Sequence, residues 1–180
     1  MLKRVNVVGT SGSGKSTFSK KLSEVLSLKY IDMDALFWEK NWTQASDQEF
    51  IRKIAECIQD DSWILDGNYS KTISLKWEKV DTIIWIDFSF IRTMYQSINR
   101  AISRIISNKE LWEGTGNKES IKMTFFSKDS ILLWTLNTFK SNRKKYEGIM
   151  MNQKYAHINF IRLTSPKMCE KFLIDLESQN

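Results

Sequence analysis

Residues 9–16 read Gly9-Thr10-Ser11-Gly12-Ser13-Gly14-Lys15-Ser16, a complete GxxxxGKS/T motif. An apolar run, Val5-Asn6-Val7-Val8, precedes the motif, and a helical pattern begins near Ser16. In a strand–loop–helix unit of this kind, successive backbone N–H groups point into one cradle at the helix N-terminus, where the helix dipole also favours anions. The motif and its setting therefore predict a loop that binds the phosphates of a nucleotide.

Each part of this loop has an expected task. The three glycines allow backbone angles that a Cβ would forbid, so the chain can curl closely around phosphate oxygens. Lys15 can reach the β- and γ-phosphates, and the Ser16 hydroxyl can take a place on Mg²⁺. We therefore expect nucleotide contacts from Gly9, Thr10, Ser11, Gly12, Ser13, Gly14, Lys15, Ser16 and Thr17.

The composition is that of a single compact domain, because 180 residues are enough to bury a substantial core. Cys57 and Cys169 lie far apart in helical patterns, and with the one histidine, His157, they predict neither a disulfide framework nor a zinc site. The chain enters its first strand without room for a signal peptide, and no apolar run approaches the roughly 18 residues of a membrane span. We expect a cytoplasmic protein that does not contact membranes.

The net charge is +6. Such an excess of lysine and arginine is compatible with affinity for DNA or RNA, and also with a protein that handles polyphosphates. The basic residues are spread along the chain, with one tight cluster at Arg143-Lys144-Lys145, and no nucleic-acid reader motif accompanies them. Nucleic acid is therefore not an expected partner.

Strand and helix patterns alternate along the chain. Strands are expected at residues 2–8, 29–32, 62–66, 82–87 and 157–163. Helices are expected after the phosphate loop, after the capping box Ser46-Asp47-Gln48-Glu49, over 89–107 and 128–150, and after Ser165-Pro166. This alternation predicts a three-layer α/β/α fold with a five-stranded parallel sheet, in one domain spanning residues 1–180. The polar stretch 108–120 contains Gly114 and Gly116 and is expected to form a small mobile lid.

Carboxylates follow two of the predicted strands. Asp32 and Asp34 come after the second strand and Asp66 after the third, at the C-terminal edge where parallel sheets bind ligands. A carboxylate there can hold a water molecule of the Mg²⁺ shell or accept the proton of an attacking hydroxyl. We expect these roles for Asp34 and Asp66. Asp32 is equally compatible with a helix cap, and Asp87, after the fourth strand, is expected to be structural.

Several blocks resemble a known superfamily. The phosphate loop, the Leu65-Asp66-Gly67 turn and the pair Arg100-x-x-x-Arg104 resemble the nucleoside monophosphate kinases. More specifically, the chain resembles the bacterial adenylate kinase-like group labelled topology modulation (FlaR-like) proteins at Asp34-Ala35-Leu36-Phe37-Trp38, Trp63-Ile64-Leu65-Asp66-Gly67-Asn68-Tyr69 and Thr82-Ile83-Ile84-Trp85-Ile86-Asp87. The likeness covers about residues 1–104 and implies a P-loop kinase fold that uses ATP with Mg²⁺.

The resemblance also implies roles for individual residues. It makes Asp66 the acid that orients Mg²⁺-bound water, and it makes Arg100 and Arg104 lid-side arginines that gather charge on the transferring phosphoryl group. The i,i+4 spacing of the two arginines places both guanidinium groups on one helix face, which suits phosphate oxygens. Arg143, in the helix after the lid, is expected to add a further contact to the nucleotide.

The acceptor side, about residues 33–60 with the turn after the third strand, departs from adenylate kinases. Those enzymes clamp the phosphate of the acceptor with arginines, whereas this region offers carboxylates, aromatic rings and a single cation after the turn. Two carboxylates would repel a dianionic monophosphate, although Arg52 on the capped helix could turn toward the crevice. We therefore expect a hydroxyl acceptor, bound by Asp32, Asp34, Trp38, Asp66, Tyr69 and Lys71.

These features together predict an ATP- and Mg²⁺-dependent phosphotransferase, a monomer or weak homodimer, that phosphorylates a hydroxyl-bearing metabolite or a nucleoside. The expected catalytic residues are Lys15, Asp34, Arg100 and Arg104. Two alternatives stay open: a nucleoside monophosphate kinase, and an ATP-binding regulator that binds DNA. A GTPase is not expected, because Asn117-Lys118-Glu119-Ser120 lacks the aspartate of an Asn-Lys-x-Asp base reader.

Overall fold

A computed structural model describes residues 2–121, 124 and 130–178. Its centre is one parallel sheet of five strands in the order β2-β3-β1-β4-β5. The strands are β1 (Arg4–Gly9), β2 (Tyr30–Asp32), β3 (Trp63–Asp66), β4 (Thr82–Ile86) and β5 (Asn159–Leu163). The predicted five-stranded parallel sheet is therefore confirmed, with each strand ending within one residue of its expected C-terminal end.

Helices cover both faces of the sheet. They are α1 (Lys15–Leu26), α2 (Met33–Phe37), α3 (Asp47–Cys57), α4 (Ile73–Trp77), α5 (Phe90–Ser107), α6 (Ile131–Met150) and α7 (Pro166–Glu177). One core lies between the sheet, α1 and α7, where Phe18, Leu22 and Cys169 pack on β1 and β4. The second core lies on the other face, where Phe50, Trp77 and Tyr146 bring α3, α4 and α6 together. The three-layer prediction is confirmed.

Two short helices, α2 and α4, were not expected from the sequence. Each has five residues, which is too short for a 3.6-residue apolar period to become visible. The helix expected over 128–150 is observed from residue 131, and its first residues lie outside the described part of the chain.

The capping box before α3 forms only in part. The Ser46 hydroxyl accepts a hydrogen bond from the backbone N–H of Glu49 at 3.2 Å, as expected for an N-cap. The Glu49 carboxylate, however, binds Arg52 at 2.7 Å instead of returning to the Ser46 backbone. An arginine one turn further along the helix thus competes successfully for the carboxylate.

None of the helices in the described part of the chain has an 18-residue stretch apolar enough for a membrane span. Asp87, which follows β4, is buried and bound by Arg162 at 2.8 Å, so its ion pairs support the expected structural role.

Candidate active site

The phosphate loop joins β1 to α1 and packs tightly against α5. Gly12 has φ +79°, and a Cβ at this position would lie 1.8 Å from the Ser97 hydroxyl oxygen of α5. That hydroxyl donates to the Ser11 carbonyl at 3.4 Å. A glycine is therefore required at position 12 both for its backbone angle and for the close approach of α5.

A cavity of about 360 Å³ opens beside the loop. Its walls come from the loop, from the first turns of α1 and from α5. The lining residues are Gly12, Gly14, Lys15, Ser16, Thr17, Lys20, Gln96, Arg100 and Arg104. The structure thus brings both predicted arginines to the predicted phosphate site. Lys20 and Gln96 also line the cavity, and their spacing of one helical turn from Ser16 and Arg100 was the sequence signal for them.

The two arginines have different partners. The Arg100 guanidinium donates to the Ser11 hydroxyl at 3.1 Å, and its Nε is buried with no hydrogen-bond partner among the described residues. Burial lowers the pKa of Arg100, and the neighbouring Arg104 lowers it further. Arg104 itself binds the Glu119 carboxylate of the predicted lid at 2.7 Å. Two clustered cations on the wall of the cavity are suited to polyanion oxygens.

Asp66, at the end of β3, is the buried carboxylate of the site. Its Oδ2 accepts a hydrogen bond from the Tyr30 hydroxyl at 3.1 Å, and its Oδ1 is buried without a partner among the described residues. Burial raises the pKa of Asp66, while the nearby Lys15 ammonium and Ser16 hydroxyl act in the opposite direction. An unpartnered carboxylate oxygen beside a serine hydroxyl is the hard oxygen donor set that a hydrated Mg²⁺ ion accepts, so these residues fit the implied metal.

Lys15 lies between the loop and the carboxylates. Its ammonium donates to the Thr10 carbonyl at 3.3 Å. Burial lowers the pKa of Lys15, and the charges of Asp66 and Asp34 act against this effect. The Lys15 ammonium is therefore placed where it could form an ion pair with a bound phosphate group.

The acceptor side is organised around Asp34 and Tyr69. The Asp34 carboxylate accepts a hydrogen bond from the Tyr69 hydroxyl at 2.6 Å. The Tyr69 ring packs against Phe37 and Phe50, with ring centroids 4.8 Å apart in both pairs. Burial and the charge of Asp34 raise the pKa of Tyr69, so its hydroxyl stays protonated and orients the carboxylate. Asp34 is exposed to solvent.

Asp32 has a structural role that can be read directly from its hydrogen bonds. Its Oδ1 accepts hydrogen bonds from the backbone N–H groups of Asp34 at 2.9 Å and Ala35 at 3.4 Å. Asp32 is thus the N-cap of α2, the alternative that the sequence had left open. The cap fixes the start of α2 and therefore the position of Asp34 in its first turn.

Three other residues predicted to bind a ligand contact neighbouring side chains of the protein. Lys71 binds Asp47 at 2.7 Å, and Arg143 binds Asp87 at 2.9 Å, so neither cation lines the cavity. Trp38 makes an edge contact with Trp42 at 5.6 Å between ring centroids. The partners of Lys71 and Arg143 are 24 and 56 residues away in sequence, which no local pattern could reveal.

Asn68 and Asn117 are site-forming residues that the sequence analysis did not select. Asn68 Oδ1 accepts a hydrogen bond from the Gly9 backbone N–H at 3.0 Å, which joins the end of β3 to the start of the phosphate loop. Asn117, in the predicted lid, accepts from the Trp42 backbone N–H and donates to the Glu39 carbonyl, both at 2.8 Å. Asn68 could have been selected from the sequence, because it lies between Gly67 and Tyr69 in the turn after the third strand. Asn117 could not, because the residues it binds are 75 and 78 positions away in the chain.

Comparison with known families finds that residues 11–56 match the shikimate kinase family. The shikimate kinase of a Sulfurihydrogenibium species is 30% identical over 105 residues, which are 49% of this chain and 62% of that enzyme. The chain thus matches less than two thirds of the length of this relative.

Solved structures extend the likeness over the whole fold. The shikimate kinase of Acinetobacter baumannii in complex with shikimate has a TM-score of 0.57 at 10% identity, over 99% of this chain and 93% of that one. A gluconokinase from Sinorhizobium meliloti has a TM-score of 0.52 at 15% identity, over 98% and 94%. The chain therefore has the fold of the P-loop kinases, and the segment from its phosphate loop through α3 matches the shikimate kinase family.

Proposed function

We propose that this protein is an ATP- and Mg²⁺-dependent small-molecule kinase that transfers a phosphoryl group to a hydroxyl of its acceptor. The observation that carries the proposal is the pairing of Asp34 with Tyr69 beside the phosphate loop. Burial lowers the pKa of Lys15 and the negative charge of Asp34 acts against this effect, so the carboxylate and the phosphate-binding lysine belong to one site. A carboxylate held in this position is suited to act as general base toward a hydroxyl.

In the proposed reaction, Asp34 accepts the proton of the acceptor hydroxyl while the hydroxyl oxygen forms a bond to the γ-phosphorus of ATP. The bond between that phosphorus and the bridging oxygen breaks, and ADP leaves. Lys15, Arg100 and Arg104 stabilise the negative charge on the phosphoryl oxygens. Ser16, and Asp66 through a water molecule, would hold Mg²⁺, which would supply further charge neutralisation at the phosphates.

The cations on the acceptor side favour a hydroxyl over a phosphate acceptor. Arg52 does not turn toward the crevice, because its guanidinium binds Glu49 and Glu56 on its own helix. Lys71 is held by Asp47. A monophosphate would have to displace these ion pairs while lying near Asp34, whereas a hydroxyl needs no cation.

The names of the similar proteins support the same class of acceptor. Shikimate and gluconate, the acceptors named for two of them, are small metabolites that carry hydroxyl groups. Within this class we infer a hydroxyl-bearing metabolite or a nucleoside. The more specific likeness to the topology modulation proteins rests on the sequence blocks around Asp34, Asp66 and Thr82 alone.

The test is a screen for ADP formation against sugars, hydroxy acids, nucleosides and nucleoside monophosphates, with the wild type and the Asp34→Asn variant. We expect turnover with a hydroxyl acceptor, its loss in Asp34→Asn, and unchanged ATP affinity in that variant. Asp47→Asn is the matched control, because it removes an exposed carboxylate that binds Lys71. Phosphorylation of AMP, CMP or dTMP that survives Asp34→Asn would instead identify a nucleoside monophosphate kinase. Salt-sensitive DNA binding without turnover would identify the ATP-binding regulator.

A further inference from the structure

Helix α5 has an apolar stripe on the face that points to solvent. Successive members are about one turn apart, at spacings of 4, 3, 4 and 4 residues that keep them on one side of the helix. They are Ile91, Tyr95, Ile98, Ile102 and Ile106, with exposed fractions of 81%, 67%, 36%, 43% and 78%. The stripe extends from Ile91 to Ile106, which corresponds to about 22 Å of helix.

The stripe is not part of either core, because the opposite face of α5 makes the contacts with the rest of the protein. That face is formed by small and polar side chains, and Thr93, Ser97 and Ala101 are completely or almost completely buried. Ser97 packs directly on the phosphate loop, as described above. The helix thus buries its polar side and exposes its apolar side, the reverse of an ordinary surface helix.

The exposed area is sufficient for a specific interface. At these exposed fractions the five side chains present on the order of 600 Å² of mostly apolar surface, which is as large as the largest patch on a typical monomer. Two such surfaces would bury about 1,200 Å², within the range of stable protein–protein interfaces.

We propose that the stripe binds the same stripe of a second copy of this chain, with the two α5 helices antiparallel. The positions of the stripe are almost symmetric about its midpoint between residues 98 and 99. Antiparallel pairing therefore places Ile91 against Ile106 of the second copy, Tyr95 against Ile102, and Ile98 beside its own counterpart. The prominent Tyr95 faces the more recessed Ile102, so each copy supplies both halves of a two-fold contact.

The charges of α5 agree with self-association. The helix contains no acidic residue, and two of its three arginines, Arg100 and Arg104, line the phosphate cavity. The third, Arg92, lies near the N-terminal end of the stripe, so the Arg92 residues of an antiparallel pair are at opposite ends of the interface. A membrane-binding face would instead carry several lysines or arginines along its edges.

The experiment is sedimentation velocity of the full chain across a hundredfold range of concentration. We expect a reversible dimer in the wild type and a shift to monomer in Ile102→Lys, which places a charge in the middle of the stripe. Ile174→Lys is the matched control, because Ile174 is similarly exposed (54%) but lies on α7. A wild type that stays monomeric, or equal dimer fractions in both variants, would overturn the proposal.

Cysteine cross-linking tests the geometry independently of any folding defect in the lysine variant. In the antiparallel arrangement Ile98→Cys should form an intermolecular disulfide on mild oxidation, because residue 98 lies beside its own counterpart. Ile91→Cys should not, since its counterpart lies at the far end of the interface. Equal cross-linking of both variants would contradict the antiparallel pairing, and the native Cys57 and Cys169 are common to both.

Discussion

Lys76 is buried under the turn that follows β3, with no carboxylate partner among the described residues. Its side chain is only 1% exposed, and its ammonium donates to the Gly67 carbonyl at 3.3 Å and lies 3.8 Å from the Met33 sulfur. Burial lowers the pKa of Lys76 to about 7, and the charge of Lys145 acts in the same direction. The residue therefore supports the Asp66–Gly67 turn at a cost in stability that depends on pH.

Replacing Lys76 by methionine should change how stability depends on pH. The lysine titrates near 10.5 when unfolded and near 7 when folded, so between these values the unfolded chain binds more protons than the folded one. The free energy of unfolding of the wild type should therefore rise between pH 7 and pH 10, by up to about 1.4 kcal/mol per pH unit. Urea denaturation should show this rise in the wild type and in Lys79→Met, and a clearly smaller rise in Lys76→Met. The same rise in all three proteins would contradict the prediction.

Lys15→Met should abolish phosphoryl transfer while leaving the fold intact. The ammonium has the Thr10 carbonyl as its hydrogen-bond acceptor and is placed to neutralise phosphate charge. Its removal should cost on the order of 3 kcal/mol or more of transition-state stabilisation, measured as the single-turnover rate with saturating ATP. Lys20→Met is the control, because Lys20 lines the same cavity but lies over the Tyr30 ring at 5.6 Å. Unchanged ATP binding and turnover in Lys15→Met would remove the basis of the kinase assignment.

At the level of residues, the sequence predicted the parts of the site that are local in the chain. The phosphate loop could be identified because its residues are consecutive, and Arg100 and Arg104 because one helix places both on the same face. The ion pair between Arg143 and Asp87 could not be predicted in the same way, because Asp87 belongs to a different part of the chain. Ion pairs between distant residues leave no local pattern.

At the level of elements, the predicted lid is attached to the acceptor segment. Asn117 is 1% exposed and binds both sides of the turn at residues 39–42. In this turn Asn41 and Trp42 have φ values of 56° and 58°, a left-handed conformation that is unfavourable for tryptophan. Trp42 also makes an edge contact with Trp112 of the lid at 5.8 Å. The lid thus holds a strained turn of the acceptor side in place.

Asn117→Ala should release this turn without unfolding the protein. The variant loses two partly buried hydrogen bonds to the backbone, for a local cost of about 1–3 kcal/mol. Hydrogen exchange should become faster over residues 39–43 and 108–120, whereas the sheet should keep its protection. Asn99→Ala, a change of the same type at an exposed position of α5, should have no such effect. Unchanged exchange in Asn117→Ala would mean that the two segments are held by other contacts.

The order of the long elements followed from periodicity, while the two short helices did not. Strand β4 is apolar at nearly every position because both of its faces are covered, and α5 shows a clear helical period. That period did not reveal which face of α5 is buried. The close approach of Gly12 to Ser97 brings the polar face inward, and this contact joins residues 85 positions apart.

At the level of the whole molecule, the sheet brings the phosphate loop and the predicted acceptor side together at its C-terminal edge. β1 delivers the phosphate loop, β3 delivers Asp66 and the turn to Tyr69, and β2 leads directly into Asp34. Arg104 links these parts to the lid through Glu119. An arginine of the cavity is therefore paired with a carboxylate of the predicted lid, so we expect phosphate oxygens that bind Arg104 to weaken this ion pair.

A bisubstrate analogue should therefore change the lid and the acceptor segment together. When its phosphates bind Arg104, the lid loses one ion pair but keeps Asn117 on the 39–42 turn, so both segments should close over the ligand as one unit. Hydrogen exchange should show increased protection over 108–120 and 39–43 in the wild type. In Asn117→Ala the ligand should protect the two segments to different extents, because the connection between them is lost. Helix α7 packs on α1, away from the lid, and should show no change in either protein. Equal protection of residues 108–120 with and without the ligand would show that this stretch is only a connecting loop.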